Sequence, residues 1–439
     1  MQRRYQQLMV AHLSDSQRVA AGLHPPPAKT DPFAAVQAAW RFYGNPRISL
    51  PQLARPLITS ARCGLLQASA AWALNVLDWS PLHYGQHSRK ADRTTLAHKK
   101  DLGYDLLTAL AVSDRDGSPL APVCLELRAA CWTHSTREPR PMTSASQLDG
   151  LTEVIEHVEG LHLGRPVVHI IDRGADSVGH YRQWQAKGWT FLVRADDERR
   201  VLRQGRECPL GDVAKQLRRS GGLVQTRPVR IKGQDAWQWI GETRVVLHRP
   251  ARQHRVNKGK ARHVMVPGPP VTLRLVVSEV RGEAGRLLAR WLLLTNVPDS
   301  VPPATVALWY YWRWRIESYH KLLKGAGQQV ECWQQETAEA LARRLTVAAM
   351  AAVVVWNLAR DDRPEAQELR EVLVRLSGRQ MKRGPKARGF TEPALLAGLG
   401  VLVPMLQLLD HYDLSTLRNM AATALPLALT SVPLRLDSG

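Results

Sequence analysis

The segment from Arg165 to Asp172, RPVVHIID, limits the possible folds more than any other part of the sequence. A continuous apolar run of this kind is typical of a strand that is covered on both faces. A helical pattern at Leu151 to Glu159 precedes it, and a helix at Val178 to Lys187 and a strand at Trp189 to Arg194 follow. Three apolar runs separated by turn residues come earlier, starting at Ala71. This order of elements predicts an α/β domain with a mixed sheet.

The rest of the chain predicts modules around that sheet. Its 439 residues are enough for two or three domains. Before about residue 70 the pattern is helical and interrupted by prolines, and from about Asp196 to Leu293 it favours a β-rich insertion. The tail from Thr391 to Leu417 is helical again. Its predicted packing face consists of Leu396, Leu399, Leu402, Leu406 and Leu409.

Basic residues are in large excess. Lys and Arg number 60 against 39 Asp and Glu, a formal charge of +21. Such an excess predicts a polyanionic partner, DNA or RNA, although a basic protein that merely stays soluble is the alternative. We expect the basic segments Arg199 to Arg206, Arg249 to Arg262 and Arg379 to Arg388 to contact phosphates, with some of them being only solvated loops.

Cysteine spacing and hydropathy argue against other classes of protein. The five cysteines include no CxxC pair, so neither a zinc site nor a disulfide framework is indicated. The stretch from Thr346 to Leu358 is strongly apolar but shorter than the roughly 20 residues of a membrane span, and we predict a buried core helix there. We therefore expect a cytoplasmic, nucleoid-associated protein with no membrane partner.

A stripe of polar residues marks one predicted helix. With a turn of about 100° per residue, the stripe residues fall within an arc of about 80°. They are Tyr310, Arg313, Glu317, Lys321 and Lys324. The simpler interpretation is an exposed ladder of ion pairs, which stabilises a helix by only a few tenths of a kcal/mol. The alternative is that Glu317 binds a metal ion and the other stripe residues bind phosphate oxygens.

Two aspartates favour the functional interpretation. Asp78 follows the apolar run LNVL and Asp172 follows VVHII, so each is predicted to end a buried strand. A capping or turn role is the common use of such an aspartate. Together with Glu317, however, they could hold two divalent ions about 3.5–4 Å apart for phosphoryl transfer.

The segment YYWRWRIESYHKLLKG resembles the signature Y-(2)-R-(3)-E-(6)-K of bacterial insertion-sequence transposases of the DDE class, family four. Tyr310, Arg313, Glu317 and Lys324 match it at every position. The segment IIDRGAD, which contains Asp172, resembles the second-aspartate motif of that family, and a strand ending in Val-Arg follows. WRFYGNPRIS, residues 40 to 49, resembles the module before the catalytic domain.

The resemblance implies roles for individual residues. Asp78, Asp172 and Glu317 would be the catalytic residues and would bind two Mg²⁺ ions, with Mn²⁺ as a substitute. The implied DNA-binding residues are Tyr310, Arg313, Lys324, Trp291, Lys321, Arg194 and Arg173. Trp291 would stack on an extruded base, or else be a core tryptophan. Asp78 departs from the family pattern, because Trp79 stands where a hydroxyl residue usually follows. We still prefer it to Asp101, Asp105 and Asp114, since the last two fit structural roles better.

The resemblance also implies an RNase H-like mixed-sheet catalytic core. The expected domains are a helical DNA-recognition module at 1–65, the first part of the core at 66–195, and a β-rich insertion at 196–290. The second part of the core, with the glutamate helix, is expected at 291–360, and a helical module that could dimerise at 361–439.

The expected activity is cut-and-paste transposition, with end cleavage through a possible hairpin and then strand transfer. The implied partners are double-stranded DNA with terminal inverted repeats, target DNA and a second copy of the chain. A non-mobile nuclease with the same carboxylates and a non-catalytic regulatory copy are the two alternatives.

Overall fold

The computed structural model describes residues 1–14, 32–98, 100–141, 147–231, 233–257, 260–379 and 389–424. Within these residues the helices are α1 (Gln2–Ser14), α2 (Pro32–Gly44), α3 (Leu50–Ala68), α4 (Gln147–Gly160), α5 (Val178–Ala186), α6 (Leu210–Arg219), α7 (Pro303–Trp312), α8 (Trp314–Leu323), α9 (Ala338–Arg360), α10 (Pro364–Leu376), α11 (Glu392–Leu409) and α12 (Leu414–Ala424). The first strands are β1 (Ala73–His83), β2 (Thr94–Thr95), β3 (Leu102–Ser113), β4 (Pro119–Arg128), β5 (Trp132–Ser135), β6 (Arg140–Pro141), β7 (Val167–Ile171) and β8 (Thr190–Arg194). The later strands are β9 (Arg200–Arg203), β10 (Arg206–Pro209), β11 (Val224–Ile231), β12 (Gln234–Leu247), β13 (Ala251–Asn257), β14 (Lys260–Val266), β15 (Val271–Arg281) and β16 (Leu287–Thr295).

One large mixed sheet forms the centre of the molecule. Its strand order is β10-β9-β12-β15-β16-β8-β7-β1-β3-β4-β5-β6, with β11 beside β12 and β2 beside β3. Strands β1, β3 and β4 pair antiparallel, whereas β7 and β8 run parallel to β1. Every residue of β7 is buried, as expected for a strand covered on both faces. The predicted mixed α/β architecture is confirmed, and it is compatible with an RNase H-like domain.

The segment predicted as a β-rich insertion extends the central sheet. Strand β16 pairs antiparallel with β8, and β15, β12 and β9 follow it outward. Helix α6 also belongs to this segment. The stretch predicted as a basic loop after Arg249 contains the two-stranded hairpin β13–β14, of which residues 258 and 259 lie outside the described part.

Helices cover the part of the sheet formed by β3 and β4. Helix α9 is buried along most of its length, which confirms the predicted core helix within it. Arg343 of α9 is 1% exposed and donates to the carbonyls of Tyr43 and Ile48, and so ties the α2–α3 corner to this helix. Ser49 caps α3 by accepting a hydrogen bond from the Gln52 amide at 3.3 Å.

The predicted packing face of the tail is only partly correct. Leu396 and Leu399 of α11 are buried, but Leu406 and Leu409 are about half exposed because the second half of the helix leaves the core.

Helix α11 has 18 residues with a mean hydropathy of 1.6, so by length and composition it could cross a membrane. A single helix of this kind is weak evidence and does not indicate a membrane protein. Residues 380–388 of the predicted basic linker lie outside the described part.

Gly117 lets the turn between β3 and β4 pack against the end of α7. Its φ is +70°, and a Cβ added there would lie 2.4 Å from Cγ of the Trp312 side chain. Only a residue without a side chain fits so close a contact. This contact helps to fix the position of α7, and therefore of α8, which follows it directly.

We predict that Gly117→Ala lowers the free energy of unfolding by about 2–4 kcal/mol, combining left-handed strain with overpacking. Gly188→Ala is the matched control, since Gly188 has a φ of +74° and an added Cβ would meet no atom within 4 Å. The control should lose only about 1 kcal/mol. Urea unfolding of both variants measures the difference. Equal losses would show that Trp312 moves aside freely.

Candidate active site

Asp78 and Asp172 lie side by side because β1 and β7 are parallel and in register. Leu77 pairs with Ile171, so the next residue of each chain segment is an aspartate. Strand β7 ends there, and the Asp172 carboxylate accepts a hydrogen bond from the Gly174 amide at 2.8 Å at the start of a short 3-10 helix. The capping role considered for Asp172 is thus real. It leaves further carboxylate lone pairs for another ligand.

The prediction that Asp78 ends its strand was wrong. Strand β1 continues to His83, because its other neighbour β3 keeps pairing with it as far as Gly103. Asp78 therefore sits in mid-strand, beyond the point where β7 stops. Two of the three alternatives to Asp78 have structural positions: Asp105 lies within β3, and the Asp114 carboxylate accepts backbone hydrogen bonds from residues 70 to 72.

Glu317 reaches the same place from α8. Ile316 and Tyr319 of this helix are buried in the core, whereas the Glu317 side chain is 35% exposed. The predicted single helix from Tyr310 to Lys324 was wrong. Helices α7 and α8 meet at Arg313, and Lys324 follows the last residue of α8.

Arg313 joins the carboxylates of two different elements. Its guanidinium lies 2.9 Å from Oδ2 of Asp78 and 3.5 Å from Oε1 of Glu317. The side chains of Arg313 and Asp78 are only 11% and 13% exposed. An exposed ion-pair ladder would show neither this burial nor the contact with a strand. The space between the Asp78 and Glu317 carboxylates therefore holds a cationic group.

The electrostatics of Asp78 are those of a crowded anionic site. Burial raises the pKa of Asp78 from 3.8 to about 6; Arg313 lowers it, while Glu317 and Asp172 raise it. Burial without full neutralisation disfavours the ionised form. Asp78 is thus ionised only above about pH 6, and a bound cation would stabilise that form.

The donor set fits a divalent metal ion. Ligand atoms of Asp78, Glu317 and His320 all lie within 4.8 Å of one another, and Asp172 does not join this group. Carboxylate oxygens suit Mg²⁺ and Mn²⁺, and imidazole suits several transition metals. Sequence reasoning missed His320. Its spacing of three residues from Glu317 is only a weak signal, because such residues are neighbours on a helix but the third ligand comes from another element.

Tyr310 and Trp291 line one small cavity beside these carboxylates. Tyr310 is 6% exposed; burial raises its pKa, and nearby Arg313 and Arg194 lower it. The enclosed space is small, about 10 Å³, which is room for about one water molecule. It is lined by Gln238, Ser278, Trp291, Leu293, Ala307, Tyr310, Tyr311 and Trp314. Trp291 is half-buried, packs against the hydrophobic core and lines this cavity.

The other predicted DNA-binding residues differ in their positions and contacts. Lys324 donates to the carbonyl of Pro81 in β1 and lies 3.6 Å from Glu331. Arg194 ends β8, next to the strand that carries Asp172. Arg173 is exposed and pairs with Asp196 at 3.4 Å, and Lys321 is exposed on α8.

We predict that Asp78→Asn stabilises the fold above about pH 6, by up to about 3 kcal/mol, which corresponds to the difference between 3.8 and about 6. Because the folded-state pKa is the higher one, ionisation destabilises the native protein; the gain should shrink as the pH falls through 6 and vanish below about 3.8, where both states are protonated. Urea unfolding at several pH values tests this. Asp235→Asn, at a 95% exposed side chain, is the control. If Asp78→Asn is less stable than the wild type at pH 7, the ion pair between Arg313 and Asp78 stabilises the fold by more than burial of the charge destabilises it.

Comparison with known families agrees with this geometry. A protein-family model described as the transposase DDE domain matches residues 143–354 of the chain. The match contains β7 with the neighbouring Asp172, the strands of the insertion, and α8 with Glu317; β1 and Asp78 precede it. Transposases of this kind are metal-dependent enzymes that cleave DNA. Taken with the carboxylates that β1, the end of β7 and α8 contribute to this site, the match supports a DDE transposase.

Proposed function

We propose that this chain carries out cut-and-paste transposition of an insertion sequence of family four by two-metal phosphoryl transfer. The observation that carries the proposal is the convergence of Asp78, Asp172 and Glu317 from β1, the end of β7 and α8 around the buried guanidinium of Arg313. Asp78 and Asp172 would share one Mg²⁺ or Mn²⁺ ion, and Asp78 and Glu317 a second. Two such ions activate the attacking oxygen and stabilise the leaving oxygen.

The cations around the carboxylates would bind the DNA backbone. Arg313 and Lys324 flank the acidic residues, and Arg194 lies beside Asp172. Guanidinium groups bind phosphate oxygens through paired hydrogen bonds, whereas lysine acts as a point charge. Lys321 and Arg173 are exposed further out and would contact neighbouring phosphates. Tyr310 would act from the cavity wall by directing its hydroxyl towards a phosphate near Arg313.

The aromatic residues around this cavity would support base extrusion. The cavity is too small for a base, but Tyr311 and Trp314 are about half exposed beside Trp291 and would offer a stacking surface. Extruding a base costs a few kcal/mol, and stacking returns about 1–3 kcal/mol. A transposon end that closes through a hairpin would need such a site.

The partners follow from the same reaction. The ends of the element carry terminal inverted repeats, and the helices before β1 would recognise them. Two ends must be held together, which requires two copies of the chain. Helices α11 and α12 expose apolar side chains that would bury one another in such a dimer: Val401, Met405, Leu406, Leu409, Leu414 and Met420.

We predict that Glu317→Gln abolishes Mg²⁺-dependent cleavage and strand transfer on DNA carrying the inverted repeats, because an amide binds a divalent ion far more weakly than a carboxylate. DNA affinity should stay within about threefold of wild type, since Glu317 repels phosphate. Glu336→Gln, at a 51% exposed side chain, is the control and should keep full activity. Equal cleavage by wild type and Glu317→Gln would exclude the assignment. Cleavage without strand transfer by the wild type would indicate a nuclease instead.

We predict that Trp291→Ala slows end processing of an intact duplex about tenfold, the rate equivalent of roughly 1.4 kcal/mol of lost stacking. A substrate with an abasic site at the extruded position should restore the rate, because no base then needs stacking. Trp132→Ala, which removes a 47% exposed tryptophan on β5, is the control. If Trp291→Ala remains slower than the wild type on the abasic substrate, Trp291 acts only in folding.

A further inference from the structure

We infer that His320 supplies a nitrogen ligand to one of the two metal ions, which makes the two ion sites chemically different. The inference rests on the proposed function, since it concerns the ions used in that reaction. The site at Glu317 would contain Asp78, Glu317 and His320, and the site at Asp172 would contain oxygen ligands from the two aspartates.

The position of His320 is the first reason. Its ring and the carboxylates of Asp78 and Glu317 form the one group with metal-ligand spacing within the described residues. Glu317 and His320 are three residues apart on α8, and side chains at this spacing meet on the same side of a helix. Asp78 is presented from β1, where it is held in mid-strand. Two rigid elements, β1 and α8, thus bring the three ligands together before any ion binds.

The surroundings of His320 are the second reason. The residue is only 5% exposed and its ring lies beside β3. One ring nitrogen, Nε2, lies 3.4 Å from the hydroxyl of Thr108 on β3. A hydrogen bond of this kind orients the ring of a metal-binding histidine.

The consequence is a difference in metal preference. Mg²⁺ takes oxygen ligands almost exclusively, whereas Mn²⁺ accepts imidazole more readily. The site at Glu317 should therefore favour Mn²⁺ over Mg²⁺ more than the site at Asp172 does. A purely structural His320 would contribute only the contact with Thr108 and would have no effect on metal preference.

The test measures Mn²⁺ bound to the full chain without DNA, by electron spin echo envelope modulation. We expect the coupling of a directly bound imidazole nitrogen in the wild type, and ¹⁵N labelling of histidine alone should change it to the ¹⁵N pattern. This label experiment needs no substitution, so misfolding cannot obscure it. A Mn²⁺ spectrum without nitrogen coupling, or one unchanged by the label, overturns the inference.

Variants then separate metal binding from packing. We predict that His320→Asn weakens the binding of one Mn²⁺ ion by about 10–100-fold and that of Mg²⁺ much less. Thr108→Val is the matched control: it removes the contact with the ring, keeps the imidazole and should retain the nitrogen coupling. Equal losses of Mn²⁺ and Mg²⁺ affinity in both variants would indicate a structural role. If the wild type binds no Mn²⁺ at all, the proposed function fails as well, whereas unchanged two-ion binding in His320→Asn overturns only this inference.

Discussion

The parallel pairing of β1 with β7 is the constraint on which the site depends. It fixes Leu77 opposite Ile171, and so delivers two carboxylates to neighbouring positions where β7 stops and β1 continues. A shift of one residue in this register would turn one of the aspartates to the opposite face of the sheet.

The third carboxylate depends on how α7 and α8 are held against the sheet. Gly117 permits close contact with Trp312 at the end of α7. At the other end, Arg274 of β15 is 2% exposed and donates to the carbonyls of Val297, Pro298 and Val301 in the segment before α7. Three carbonyls bonded to one buried guanidinium leave that segment little freedom. The insertion therefore contributes directly to the position of Glu317.

The assembled site is electrostatically unfavourable for the protein alone. Three acidic groups converge at a place where burial already raises the pKa of Asp78 to about 6, and Arg313 offsets only part of the repulsion. Stability lost in this way is typical of functional sites, where binding of the intended ligand recovers it. Here the ligand would be a pair of divalent cations followed by a phosphodiester. The same guanidinium that lies between the carboxylates would then be available to a phosphate oxygen.

The sequence alone determined the α/β order, the strand buried on both faces at β7, the core helix within α9 and the three candidate acidic residues. These follow from periodicity and spacing, which are local properties of the chain. The extent of β1 past Asp78, the break between α7 and α8 at Arg313 and the burial of Tyr310 were decided by tertiary structure. Pairing with β3 extends β1 past Asp78, and a neighbour so distant along the chain is not visible in a sequence window. His320 likewise became a candidate ligand only when β1 placed Asp78 beside it, because a metal site is a property of groups that the fold, and not the chain order, brings within reach of one another.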